Sequence, residues 1–179
     1  MSSHGAGPGP GAESSNPAEQ GSRVGPARYR KVCAQFATGI TVVTVVDAHG
    51  HPHGMTVNSF SSVSLDPPLV LVSIDLRHSI LGHFLSASAF AVNVLAEGQE
   101  ALSQRFSSVS EKRFEGIAWH PSSLGVPLLD GVLAHLECSV VRTFEAGDHT
   151  VLIGEVLAIA ARRDHAPLVF YRGTYHGLG

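Results

Sequence analysis

Gly54 to Pro68 reads GMTVNSFSSVSLDPP, a run of small hydroxyl and amide side chains between two apolar segments, Ile40 to Val46 and Leu69 to Ile74. Side chains of this kind, together with backbone N–H groups, can hydrogen-bond a phosphate or the edge of a heterocycle without adding charge or bulk. The stretch is therefore a candidate ligand-binding corner. A competing reading is a polar strand-turn-strand whose serines satisfy their own backbone, since turns favour Ser, Asn, Asp and Pro on their own account.

The elements that would position this corner follow from pattern. Tyr29, Val32, Cys33 and Phe36 recur on one helical face, with Pro26 suited to the first turn and Gly39 to the stop. Ile40 to Val46 is a β-branched strand, Asp47 to Gly50 a turn, and His53 to Val57 the returning strand. Pro67-Pro68 cannot donate ladder hydrogen bonds and marks the start of the Leu69 to Ile74 strand. A short helix over Ser79 to Ser86, with Ser79 as N-cap, precedes a strand at Phe90 to Leu95 and a helix at Glu97 to Phe106. Ser107 to Gly131 is a long polar excursion, in which Phe114 and Trp119 are read as anchors. Val132 to Phe144 and His149 to Arg162 form a hairpin about Glu145 to Asp148, and Leu168 to Tyr171 ends the strands. Strands outnumber helices and no strand-helix-strand rhythm occurs, so the expectation is a mainly β, closed antiparallel barrel with a few covering helices.

Composition sets the bounds. Residues 1 to about 25 are poor in large apolar side chains and read as a disordered tail, leaving 26–179 as one domain. A net charge of −3 without basic clustering gives no footprint for nucleic acid or an anionic membrane. Only 15% of residues are charged, which points to a subunit interface. Cys33 and Cys138 lie in apolar contexts and are expected buried, in a reducing compartment; apolar runs are of strand length and the N-terminus lacks an apolar leader, so the cytoplasm is expected. The eleven histidines show no HExxH or CxxC pairing, which predicts no metal centre; of His49, His51 and His53 on the hairpin turn, only His53 is near the candidate corner. Neither a Walker loop nor a GxGxxG is present, against the common dinucleotide folds.

Several blocks come in a recognisable order: FATGITVVT from Phe36, GMTVNSF from Gly54, SLDPPLV from Ser64, FAVNVL from Phe90, Gly147-Asp148-His149 with Gly154-Glu155-Val156, and YRGTY from Tyr171. In this order the chain from about Tyr29 to Tyr175 resembles the short-chain flavin reductases, small NAD(P)H:flavin oxidoreductases that accompany two-component flavin monooxygenases. The resemblance implies a homodimeric, antiparallel Greek-key split β-barrel, the FMN-binding split barrel. It also implies that FMN or FAD is reduced by NADH or NADPH and leaves to feed an oxygenase.

Carried over by position, Pro52, His53, Gly54, Met55, Thr56, Asn58 and Ser59 would line the flavin ring and ribityl chain. Ser73, Asp75 and Ser79 would follow toward the phosphate, with Arg105 and Phe106 closing the site. His149 would face the nicotinamide, and Tyr171, Arg172, Gly173 and Thr174 would contact the dinucleotide. The chain departs from the family at His78-Ser79-Ile80, where a Ser-x-Thr or Ser-x-Ser is common. Arg105 suits a phosphate by its guanidinium fork, although it also fits an ordinary helix-end charge, and Lys112 and Arg113 are the other basic candidates. Hydride transfer to flavin needs no protein nucleophile, in keeping with the absence of a triad. Two rivals stay open: a barrel that retains flavin or a related ligand without nicotinamide turnover, and a pyridoxamine-phosphate-oxidase-like enzyme. The latter would require a basic cluster that the chain lacks.

Overall fold

The computed structural model describes residues 24–108 and 112–178, so the tail expected over residues 1 to about 25 falls outside them but for its last two positions. The described chain runs α1 (Pro26–Cys33), β1 (Thr38–Gly39), β2 (Thr41–Val46), β3 (Pro52–Val57), β4 (Ser61–Leu65), β5 (Pro68–Asp75), α2 (Leu81–Ser86), β6 (Ala89–Val94) and α3 (Glu100–Ser107). It continues through β7 (Trp119–Pro121), β8 (Pro127–Leu129), β9 (Ala134–Ala146), β10 (His149–Ala161), β11 (Val169–Tyr171) and β12 (Thr174–His176). None of its helices is long and apolar enough to cross a membrane.

Seven strands form one antiparallel sheet in the order β3-β2-β6-β9-β10-β5-β4. β3 and β4 are its end strands, and no ladder joins them among the described residues, so the protein is mainly β without the ring of hydrogen bonds that a closed barrel requires. The link past the end of β3 is made by side chains instead: Ser59 Oγ accepts from Ser73 N–H at 2.9 Å and donates to Ser73 C=O at 3.1 Å.

β2 explains why its sequence is apolar without alternation. Val43 and Val45 pack into one core with Val72, Ile74, Phe84, Phe90 and Leu152, while Val42 on the opposite face joins Ile40, Leu95, Phe106, Leu129 and Leu168. A strand covered on both faces has no polar side to present. Its two threonines are buried and satisfied: Thr41 donates to Val57 C=O at 3.1 Å and Thr44 to Pro127 C=O at 2.6 Å, and Asn93 beside Thr44 donates to Val42 C=O and accepts from Leu129 N–H. The bonds of Thr44 and Asn93 tie the small β7–β8 hairpin to the sheet and leave no amide function of Asn93 unmatched.

Several expectations are corrected. α1 ends at Cys33, not at Gly39: the following turn closes with Gln35 N–H to Val32 C=O and Phe36 N–H to Cys33 C=O, after which Thr38 and Gly39 pair with β11. The helix does not bury its apolar face within the chain, since Val32 is 65% and Phe36 77% exposed. Cys33 is exposed rather than buried; Cys138 is buried, and burial pushes its thiol up to about 12, so it stays protonated at neutral pH. Ser79 does not cap α2. That position falls on Ile80, and the incoming N–H groups are met by His78, whose carbonyl accepts from Leu81 and whose Nδ1 accepts from Ile80 at 3.4 Å. The polar run after Ser59 contains a strand, β4, and the long excursion contains the β7–β8 hairpin, into which Phe114 and Trp119 are packed edge to face at 5.9 Å.

Candidate functional site

A cleft of about 640 Å³ opens where β3, the approach to α2 and the segment after α3 meet. Pro52, His53 and Gly54 form one wall, Ser79 and Ile80 another, and Lys112 to Glu115 a third. Its size is that of an ordinary small-molecule site.

Gly54 is required by packing. A Cβ there would lie 3.0 Å from the Phe106 ring and 3.1 Å from both the Thr44 methyl and the Val43 carbonyl oxygen, so α3 can lean on β3 only where no side chain intervenes. Phe106 is thereby the floor behind the wall rather than a lining residue. Thr56 strengthens the same contact by donating to Ser103 C=O at 2.6 Å.

The two arginines after β6 have different tasks. Arg105 donates from Nε to Arg113 C=O at 2.7 Å, and from Nη2 to the carbonyls of Lys112 and Glu115. Its fork is occupied in shaping the backbone of that wall. Arg113 lies in the wall itself, 5% exposed, with Nε donating to Ser108 C=O at 2.8 Å and Nη1 reaching Gly54 C=O at 3.4 Å. Among the described residues its Nη2 is buried without a partner. A buried guanidinium with an unused donor is costly unless an anion meets it, and burial accordingly lowers its pKa from the ordinary value. The pKa of the neighbouring His78 imidazole is lowered from its ordinary value, first by its own burial and then by the charge of Arg113, against the opposing charge of Asp75.

Other expected site residues lie apart from this lining. His149 and Asp75 are register partners across β10 and β5; His149 Nδ1 bonds Asp148 Oδ1 at 2.7 Å, while Asp75 is clamped by Arg77 at 2.8 Å. These partners hold both carboxyls below the usual carboxylate range, the hydrogen bond from Arg77 being the chief cause at Asp75 and that from His149 at Asp148. Tyr171, Arg172, Gly173 and Thr174 form the β11–β12 turn, in which Arg172 (φ 50°) donates its N–H to Ala34 C=O and its side chain to Gln35 Oε1. Met55 is buried in the core, Asn58 is exposed at the end of β3, and Ser73 and Ser59 hold each other. Of the expected set, Pro52, His53, Gly54 and Ser79 are therefore brought together at the cleft, and Arg113 joins them from outside the set.

The mainly β chain thus carries a cleft of small-molecule size with a buried guanidinium in its wall. The chain belongs to the flavin reductase like domain family, which matches residues 33–179. It is 41% identical over 155 residues to the reductase subunit HsaB of a flavin-dependent monooxygenase from Rhodococcus jostii, covering 87% of this chain and 79% of the relative. To the FMN reductase (NADH) SmoA of Agrobacterium fabrum it is 46% identical over 147 residues, covering 82% and 83%. Among solved structures, the NADH:FAD oxidoreductase SgcE6 of Streptomyces globisporus, in complex with NAD and FAD fragments, superposes with a TM-score of 0.81 at 36% identity, covering 94% of this chain and 98% of that one.

Proposed function

We propose that this chain is an NADH- or NADPH-dependent flavin reductase that reduces diffusible FMN or FAD and supplies it to a separate flavin-dependent monooxygenase. The observation that carries the reading is the unpartnered Nη2 of Arg113 in the same cleft as Pro52, His53, Gly54 and Ser79. A flavin phosphate supplies the anion that this donor lacks, and the cleft volume suits the rest of the ligand. The relatives named as flavin reductases favour turnover over retention of flavin without nicotinamide chemistry.

Nicotinamide and flavin carry the hydride chemistry between them when bound. The chain's part is to bind, orient and exclude water, which is worth most when the reacting atoms are held about 3–3.5 Å apart. Arg113 and Ser79 fix the phosphate end, and the β3 backbone from Pro52 to Thr56 fixes the ring. With Nδ1 donating to Asp148, His149 presents Nε2 as an acceptor for the carboxamide N–H of nicotinamide. The β11–β12 turn, Tyr171 to Thr174, holds the rest of the dinucleotide.

Oxidation of NADH and NADPH followed at 340 nm, with and without FMN, FAD and riboflavin, tests this reading. Turnover that depends on added flavin is expected, and no turnover with any pair would leave the protein a flavin-retaining module. In the same assay, His149→Ala should slow single-turnover hydride transfer by about tenfold, the worth of one hydrogen bond to a charged or polarised group, with flavin affinity nearly unchanged. An unchanged single-turnover rate would remove His149 from the site.

The working unit in this reading is a homodimer on the split-barrel pattern, with residues 26–179 as its single domain. Val141 and Phe144 on β9, Leu157 and Ile159 on β10 and Leu65 on β4 are all exposed, more apolar surface than a small monomer ordinarily leaves in water. Sedimentation at micromolar concentration should give twice the 18.8 kDa chain mass, and a stable monomer would overturn the assignment. The two unpaired cysteines and the soluble substrates fit a cytoplasmic enzyme.

A further inference from the structure

The wall of the cleft carries a second chemical feature, a cluster of imidazole and carboxylate groups. Asp47, at the end of β2, His53 on β3 and His83 on α2 bring one ligand atom each within 4.8 Å of one another. Asp47 Oδ1 is already occupied in capping the hairpin turn, accepting from His49 N–H at 2.8 Å and His51 N–H at 2.9 Å. Its Oδ2 is turned instead to imidazoles, 3.2 Å from His53 Nε2 and 3.2 Å from His51 Nδ1. The His53 and His83 rings stack with centroids 3.8 Å apart and planes 16° from parallel.

We propose that Asp47, His53 and His83 form a binding site for a single divalent transition-metal ion of the zinc class on the wall of the cleft. Bonds of 2.0–2.1 Å in a tetrahedral shell place neighbouring donors roughly 3.3 Å apart. The Asp47–His53 separation, 3.2 Å, already has that spacing. The third donor, on His83, lies within 4.8 Å of the other two, and a rotation of its ring out of the stack on His53 brings its lone pair toward the ion. Mixed imidazole and carboxylate donors select zinc, nickel or copper over magnesium or calcium. The capped Asp47 carboxylate serves as a pre-positioned ligand, because its turn hydrogen bonds fix the orientation of the free oxygen. The site stands whether or not the cleft takes flavin.

The test is calorimetric titration of Zn²⁺ into the untagged, chelator-treated full chain without flavin or nicotinamide, paired with the visible spectrum of Co²⁺ at the same site. Expected is saturable binding of one equivalent, a tetrahedral Co²⁺ spectrum, and affinity at least about tenfold weaker in Asp47→Asn and in His83→Gln. His120→Gln, which disrupts the separate His120–Asp130 pair, should bind as the parent does. Asp47→Asn keeps an oxygen to cap the turn, and His83→Gln carries the test alone if the hairpin variant misfolds by circular dichroism. Absence of saturable Zn²⁺ binding by the parent, or parental affinity and Co²⁺ spectrum in a folded His83→Gln, would overturn the proposal.

Discussion

Arg113→Gln should raise the KM for FMN by roughly tenfold to a hundredfold, with kcat at saturating flavin little changed and the KM for riboflavin shifted by less than about threefold. The size follows from the 1.5–3 kcal/mol that a charge-assisted hydrogen bond contributes when its alternative is an unmet buried donor. The pattern follows from which atom is free. Among the described residues Nε and Nη1 of Arg113 hold Ser108 and Gly54 carbonyls and Nη2 has no partner, which leaves that donor for the anion of the ligand. Riboflavin has the ring and ribityl chain without the phosphate, and so registers any general damage to the cleft while being blind to the lost contact. Glutamine retains a donor for one carbonyl, which limits that damage. Equal losses for FMN and riboflavin would show that Arg113 merely holds the wall together, and an unchanged FMN KM would move the phosphate elsewhere.

That prediction also marks where sequence reading reached its limit. Arg105 and Arg113 are both arginines after the same strand, and nothing in their neighbours along the chain says whose guanidinium is committed to carbonyls. The commitment is three-dimensional: Arg105 folds the wall by bonding residues up to ten positions ahead, and Arg113 then inherits the cleft. The strands were legible because β2, β5 and β10 are rich in β-branched or aliphatic residues bounded by turn residues, a pattern that survives without tertiary information. β4 was not, since Ser61 to Leu65 is an exposed end strand whose serines look the same in a turn. The helical spacing holds for Tyr29, Val32 and Cys33 but not for Phe36, which lies past the helix end, and periodicity says only that a face is apolar and not what covers it. Asp47, His53 and His83 escaped notice for a related reason. Metal motifs are recognisable when one element carries two ligands, whereas here three separate elements carry one each.

Gly154→Ala should lower stability by about 3 kcal/mol, a large share of the 5–15 kcal/mol typical of a domain, and depress the melting temperature by about 6–12 °C. The added methyl carbon would stand 2.5 Å from Phe90 Cζ, closer still to Cε1, and 2.9 Å from the Cys138 Cβ. Nothing there can yield cheaply. Phe90 and Cys138 are fully buried on β6 and β9, the two strands that carry the middle of the sheet, and the Phe90 ring is enclosed by the main core. Gly154 itself is pinned from both sides, paired with Val70 on β5 and Val140 on β9, beside a register shift that already interrupts the ladder. The usual benefit of replacing glycine, a stiffer unfolded chain worth about 0.4–1 kcal/mol, is too small to offset the overlap. The cause is separable by a double-mutant cycle: Phe90→Leu removes the ring edge that the methyl strikes, so the two substitutions together should cost less than their sum by about 1 kcal/mol or more. A Gly154→Ala chain that melts within about 2 °C of the parent would mean that β10 can lift from β6 at this point, and strict additivity with Phe90→Leu would place the strain against Cys138 instead.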